Sequence, residues 1–209
     1  MNIEIQLPTQ VFGPESSGIL MTPEEFDRAE FEDGWRYELI HGVLVVVPPA
    51  GPSESDPNET LGQLLRNYQD SHPQGAALDV TLPQFTVRTR TNRRIADRVL
   101  WTGLGRLPRW RRDVPSIVVE LVSAGRRNRL RDYEEKRDEY LAIGVREYWV
   151  FDRFHSTVTV FTPAPGGFRE KVYRRRQTLK TPLLPGLTLP LARLFALAER
   201  WPERDEPDA

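Results

Sequence analysis

Two acids sit where acids are costly. Asp97 lies in the run R-I-A-D-R-V-L-W at 94–101 and Glu120 in S-I-V-V-E-L-V-S at 116–123, each a carboxylate inside an apolar, strand-like segment. A lone carboxylate there is expensive unless it is paired or bound to a metal. If the two strands are neighbours the acids converge, and adjacent carboxylates repel unless a divalent cation lies between them or one stays protonated. A metal is the cheaper solution. Magnesium or manganese held by oxygen ligands would acidify a water for in-line attack on a phosphodiester and neutralise charge on the transferred phosphate. Lys136 is the candidate to stabilise that charge, since Asp132, Lys136 and Tyr140 are spaced by four and share a helix face. Ordinary alternatives stand beside this reading. Asp97 and Glu120 could be paired structurally with Arg94, Arg98, Arg126 or Arg127, and Lys136 could simply salt-bridge along its helix.

The elements that must position these groups are readable from pattern. Thr22-Pro23-Glu24-Glu25 is a helix start, with threonine as N-cap, proline at the first helical position and Glu25 placed for a capping box. W-R-Y-E-L-I-H-G-V-L-V-V-V predicts a β-hairpin turning at His41-Gly42, with Glu38 in its first strand, where it is either a further site acid or an outward residue of an alternating strand. Asp56-Pro57 predicts a helix from Pro57 to about Ser71, and two short strands follow at 77–80 and 84–88. Residues 103–113, with two glycines, a proline and four arginines, form a loop long enough for a mobile flap over a site. The run at 116–123 suits a central strand buried on both faces. A helix over about 129–143 is stopped by Gly144, and further strands follow. Strands with a few intervening helices predict an α/β or α+β fold, a sheet core flanked by helices. The expected organisation is an irregular arm over 1–20, one domain over 21–200 and a flexible tail over 201–209.

Composition narrows the chemistry. The 209 residues include no cysteine, which excludes disulfides and thiolate metal sites, and the three histidines, His41, His72 and His155, are too scattered for a histidine-rich zinc site. A magnesium or manganese cofactor is what remains. The acidic first 30 residues do not read as a secretory signal and no apolar stretch reaches about 20 residues, so a cytoplasmic protein without a membrane partner is expected. The net charge of -1 predicts no global attraction to nucleic acid, but nine arginines between Arg88 and Arg112 predict a local basic surface. Arg94, Arg98, Arg126 and Arg127 are its candidate nucleic-acid contacts.

Y-E-L-I-H-G at 37–42, R-I-A-D-R-V at 94–99, I-V-V-E-L-V-S at 117–123 and D-x-x-x-K-x-x-x-Y followed by G-V-R-E-Y-W-V over 132–150 together resemble the Uma-two family of restriction-endonuclease-like proteins, within the PD-(D/E)XK nuclease superfamily. The resemblance covers about residues 20–195. It implies a restriction-endonuclease-like mixed sheet core flanked by helices, with Asp97 as the metal-binding aspartate, Glu120 as the acid of the (D/E)-x-K motif and Glu38 as an early auxiliary acid and metal ligand. The Leu121 carbonyl is implied as a further metal contact. Val122 occupies the usual lysine position, so Lys136 would reach back from the next helix. Family members often carry a histidine near the start of the helix after the proline-rich loop, where this chain has Pro57-Asn58-Glu59.

The function expected is therefore a magnesium-dependent endonuclease hydrolysing DNA, with DNA favoured over RNA, Asp97, Glu120, Lys136 and Glu38 catalytic, and a homodimer as a possible assembly. The alternative, from a different class, is a catalytically silent nucleic-acid-binding or partner-binding module that keeps the fold.

Overall fold

The computed structural model describes residues 10–201, apart from the side chain of Arg127. Most of the expected tail, and residues 1–9 of the expected arm, lie outside that range. Contacts divide the chain into two compact units, one built from 1–49 and 88–95, the other from 50–87 and 96–209. The expected domain over 21–200 thus contains parts of both.

In the smaller unit, β1 (Val11–Phe12) pairs in parallel with β2 (Glu30–Phe31), so the described part of the expected arm is not wholly irregular. Phe12 is drawn in because it packs with Phe31 against the buried Met21, Phe26 and Tyr37. Helix α1 (Pro23–Arg28) begins with the expected capping box, in which the Glu25 N–H donates to Thr22 Oγ1 and the Thr22 N–H to Glu25 Oε2. Strands β3 (Arg36–Ile40) and β4 (Val43–Val47) form the hairpin. Its two-residue turn has φ +50° at His41 and +77° at Gly42, the left-handed pair that a tight hairpin requires. Buried Arg93 donates to both carboxylate oxygens of Asp27, at 2.9 and 2.7 Å.

The larger unit is a mixed sheet with helices. Helix α2 spans Pro52–Ser71, five residues earlier than Asp56-Pro57 suggests. Pro52 takes the first helical position, while Pro57 falls inside the helix, where it leaves the Ser53 carbonyl without its usual intrahelical N–H partner. Strand β5 (Leu78–Arg88) pairs with β6 (Arg93–Thr102). It replaces the two short strands expected there, and the pattern breaks because Gln84 takes φ +47° in mid-strand. β7 (Ile117–Leu121) runs antiparallel to β6 and parallel to β8 (Glu147–Asp152). The parallel pair needs a crossover, supplied by α3 (Arg126–Leu130), a π-helical turn over Arg131–Glu135 and α4 (Lys136–Ala142). β9 (Thr157–Ala164) and β10 (Gly167–Arg174) continue the sheet antiparallel. β11 (Thr178–Leu179), β12 (Leu189–Pro190) and α5 (Leu191–Glu199) complete the unit. No helix among the described residues is long and apolar enough to cross a membrane.

β7 is buried along its length, and its alternation sorts its residues onto two cores. Ile117, Val119 and Leu121 pack with Leu61 and Leu65 of α2 and Leu194 and Phe195 of α5. Val118 and, just past the strand, Val122 pack on the other side with Tyr140 and Tyr148. Glu120 has the parity of the second set and so belongs on the face covered by α4. The loop at 103–113 is anchored, with Asp79 accepting from the Leu104 and Gly105 N–H groups at 2.7 and 2.8 Å and Asp113 held by Arg106 at 2.6 Å. It leaves the C-terminal end of β6, whereas Asp97 is near its middle and opposes the far end of β7. The expectation of a flap over the site is therefore corrected. Six strand residues, about 20 Å, separate Asp97 from Gly103.

Helix α2 depends on one close approach to the sheet. A Cβ at Gly62 would lie 2.6 Å from Arg98 Nη2, and that guanidinium is fixed by the Asn58 carbonyl and Thr81. Gly62→Ala is expected to destabilise the protein by about 1–3 kcal/mol through overpacking. Urea denaturation measures this, and an unchanged midpoint would mean that Arg98 can move freely.

Candidate functional site

Three of the four expected site residues meet in the larger unit. Asp97, on β6, reaches β7 through its side chain, with Oδ2 accepting from the Leu121 N–H at 2.7 Å and Oδ1 from Gln84 Nε2 at 3.2 Å. Glu120 and Lys136 form a buried ion pair, Oε2 to Nζ at 2.9 Å, with both residues 3 % exposed. The second Glu120 oxygen accepts from the Tyr140 hydroxyl at 2.9 Å. Asp132 stands 3.7 Å from Lys136 Nζ. One lysine therefore serves two carboxylates, and the aspartate beside them is held by a backbone amide.

The crossover brings the lysine there. Asp132 lies in the π-helical turn, which the Lys136 N–H closes by bonding to the Arg131 carbonyl. A single π-turn of this kind is frequent at functional sites. The buried Tyr148 hydroxyl accommodates the altered ladder, donating to the Asp132 carbonyl at 2.8 Å. Val122, where the lysine was expected, is buried in the apolar core, and Lys136 occupies the charged position from the helix instead.

Burial dominates the electrostatics. It pushes Glu120 up to about 8, with Lys136 opposing and Asp97 and Asp132 adding to the rise. Asp97 is also raised, first by burial, while Lys136 and the Leu121 N–H pull it down and Asp132 pushes it up. A fourth acid joins them from the first turn of α2. Glu54 is raised by burial, lowered by a hydrogen bond from Ser123, and raised again by the charges of Asp97 and Asp132. It lines a small cavity with Leu121, Val122 and Arg153.

These donors fit a hard divalent cation by type. They are carboxylates that repel one another with one lysine among them, a charge excess that a cation would relieve. Among the described residues no three acidic, histidine or cysteine side chains close around a common point. Magnesium does not require that, because one or two carboxylates and several waters hold it.

The other expected residues are placed differently. Glu38 is in the smaller unit, buried, with Oε1 accepting from the Ile95 N–H at 2.7 Å and Oε2 3.7 Å from Arg94. Arg94 and Arg98, expected at a nucleic-acid surface, are 0 % and 3 % exposed, which corrects that assignment. Arg98 is spent on Asn58, whose side-chain oxygen accepts from Nε at 2.8 Å and whose amide donates to the Asp97 carbonyl at 2.8 Å. Asn58 thereby ties α2 to the strand carrying Asp97. Arg126 is exposed, and the side chain of Arg127 lies outside the described residues. Sequence reasoning missed Gln84 and Glu54. Gln84 could have been found only from its left-handed backbone, which an uncharged strand residue does not advertise. Glu54 was read as part of a loop, because Asp56-Pro57 looked like the helix start.

A family model described as "Uma2: Putative restriction endonuclease" matches residues 23–192. A search of the curated proteins finds no match. Among solved structures, a crystal structure from Anabaena variabilis, described as "a putative nuclease belonging to DUF820", is similar at 14 % identity with a TM-score of 0.64, over 85 % of this chain and 99 % of that one. At that identity the likeness is one of fold, a mixed sheet flanked by helices.

The Glu120 environment predicts a pH dependence of stability. The folded state keeps a proton on Glu120 that an ordinary glutamate, at 4.5, releases, so this contribution is full below about 4.5 and falls away as pH rises through about 8. Glu120→Gln, which cannot ionise, is expected to flatten the fall in melting temperature across that window. Metal-free melting curves at a series of pH values check this, and equal slopes for the two proteins would contradict it.

Proposed function

The chain belongs to the Uma2 family, and from that premise we propose that it is a nuclease dependent on magnesium or manganese that hydrolyses DNA phosphodiester bonds, with Asp97 and Glu120 as metal ligands and Lys136 as the charge-stabilising cation. The observation that supports this best is the meeting of Asp97, Glu120 and Lys136 from two adjacent strands and the helix that follows them. A bound cation would supply an acidified water and neutralise charge on the phosphate.

The protein's own groups do the rest. The Leu121 N–H and Gln84 fix the Asp97 carboxylate, so its orientation is set before substrate arrives. Tyr140 does the same for Glu120. Lys136 pairs with Glu120 and its charge also acts on Asp97, so it is well placed to meet the charge that builds on a transferring phosphate. Glu54 is a candidate to accept a proton at the edge of the site, because burial raises its pKa. Glu38 is left in a supporting role in the smaller unit, where it holds Ile95 and faces Arg94.

Asp97→Asn and Glu120→Gln keep the shape of each side chain and remove its charge. Each is expected to lower metal-dependent cleavage of plasmid DNA by at least about 100-fold while leaving the circular dichroism spectrum unchanged. Cleavage by both variants at the wild-type rate would refute the assignment. DNA binding without cleavage by the wild-type protein would select the catalytically silent module instead.

A further inference from the structure

The end of the sheet that carries Leu121 also carries a basic, aromatic rim that the site residues do not explain. The parallel register sets Leu121 beside Phe151, so β8 ends at Asp152 next to the site. The chain then turns through Arg153, Phe154 and His155 and re-enters the sheet with Thr157 opposite Asp152. β10 finishes at the same end, with Arg174 opposite Thr157 and the Arg175 N–H donating to the Ser156 carbonyl at 3.1 Å. Arg126, at the start of the crossover, leaves from this end of β7 as well.

This turn is built around a fully buried acid. Asp152 is 0 % exposed and accepts from the Phe154 and His155 N–H groups at 3.0 and 3.1 Å. Arg129 pairs with it at 2.6 Å and stacks over the Tyr133 ring, 4.9 Å from its centroid. Phe154, held by its own backbone N–H, is 42 % exposed with the Arg153 guanidinium 4.2 Å from its ring centroid. Two acids at this end are paired with arginines, Asp152 with Arg129 and Glu199 with Arg175, and Glu54 lies beside Arg153. Arg126, Arg174 and Arg176 are exposed around them. An exposed aromatic ring on a firmly fixed turn, with a cation stacked on one side of it, is an arrangement suited to binding a base and its phosphate together.

We propose that the β8–β9 turn is a strand-binding subsite of the nuclease, in which an unpaired base stacks on Phe154 while Arg126 and Arg174 contact the flanking phosphates. The inference rests on the nuclease reading and names its substrate class, a single strand or a duplex opened near the cut. Continuous duplex keeps its bases stacked on one another, so it cannot offer a free base face to the ring. The β8–β9 turn is about two interstrand spacings, roughly 10 Å, across the sheet from β6, and a few residues along it from the level of Asp97, a span of a few nucleotides. That is short enough for one strand to lie on both Phe154 and the Asp97 site.

The test is fluorescence anisotropy without divalent metal, using a labelled oligonucleotide of about 20 nucleotides as a single strand and as a duplex, with cleavage assayed in parallel with magnesium. Wild type is expected to prefer the single strand. Phe154→Ala is expected to weaken that binding about tenfold and to leave duplex binding nearly unchanged. Phe154→Trp, which keeps a stacking ring on the same backbone, is expected to retain it. Arg174→Gln is expected to reduce the dependence of log affinity on log salt by about 0.7 for the single strand. Unchanged single-strand affinity of Phe154→Ala, or loss of binding by Phe154→Trp as well, would overturn the subsite, as would a wild type that binds neither form. If wild type cleaves DNA in any of those cases the nuclease reading survives, whereas failure to cleave counts against that reading separately.

Discussion

The candidate site depends on one buried contact, Lys136 Nζ against Glu120 Oε2 at 2.9 Å. Both charges are almost wholly out of water, where each alone would cost several kcal/mol. The arrangement is tolerable because the remaining valences are met. Tyr140 donates to the other glutamate oxygen and Asp132 approaches the ammonium. A buried pair of this kind is weak evidence for stability, since apolar residues of the same size often do as well. The surrounding aromatic packing of Tyr140 against Tyr148, with ring centroids 5.3 Å apart, then serves to fix the helix from which the lysine projects.

The same contact shows how a lysine can reach Glu120 although Val122 stands two residues after it. A lysine two residues after Glu120 would share its face of β7 and would put a charge among Tyr140, Tyr148 and Val118, where Val122 is now 2 % exposed. Placing the cation on α4 lets the strand remain apolar to its end and lets the charge approach the glutamate from the helix that already covers that face. The cost falls on the crossover. The π-helical turn before Lys136 loses regular hydrogen bonding, and the Tyr148 hydroxyl is drawn onto the Asp132 carbonyl there.

How much of this was legible follows from the range of each interaction. The capping box at Thr22, the turn at His41-Gly42 and the helix stop at Gly144 with φ +96° are local, so residue type alone announces them. Glu120 was legible because a charge interrupting an apolar run has few bland explanations, and Lys136 because spacing by four is a property of one helix. What pattern could not provide was direction. The arginines at 94 and 98 look the same in a basic stretch whether they face solvent or not, and only the approach of α2, with Asn58 and Gly62, decides that Arg98 is enclosed. The backbone at Gln84 and the π-helical turn depend on partners distant in sequence. The start of α2 was misplaced for a different reason, since Pro52 and Pro57 give the same local signal.

Those errors share a physical consequence for the candidate site. With Arg94 and Arg98 enclosed, two of the four cations assigned to phosphate in the sequence are unavailable to it, and the basic stretch between Arg88 and Arg112 no longer makes a continuous binding surface. The loop at 103–113 keeps its exposed arginines, but it leaves the C-terminal end of β6, six residues beyond Asp97. Positive charge near the acids must then come from elements later in the chain. The parallel pairing of β7 with β8 supplies it, because it forces the end of β8, and hence the turn after it, to the same edge as Leu121. In a wholly antiparallel sheet the strand beside β7 would begin at that edge, and the cations following its far end would lie a strand length away. The crossover that carries Lys136 to Glu120 is therefore the same feature that places Arg153 beside them, so the lysine and the basic rim are two results of one topological choice.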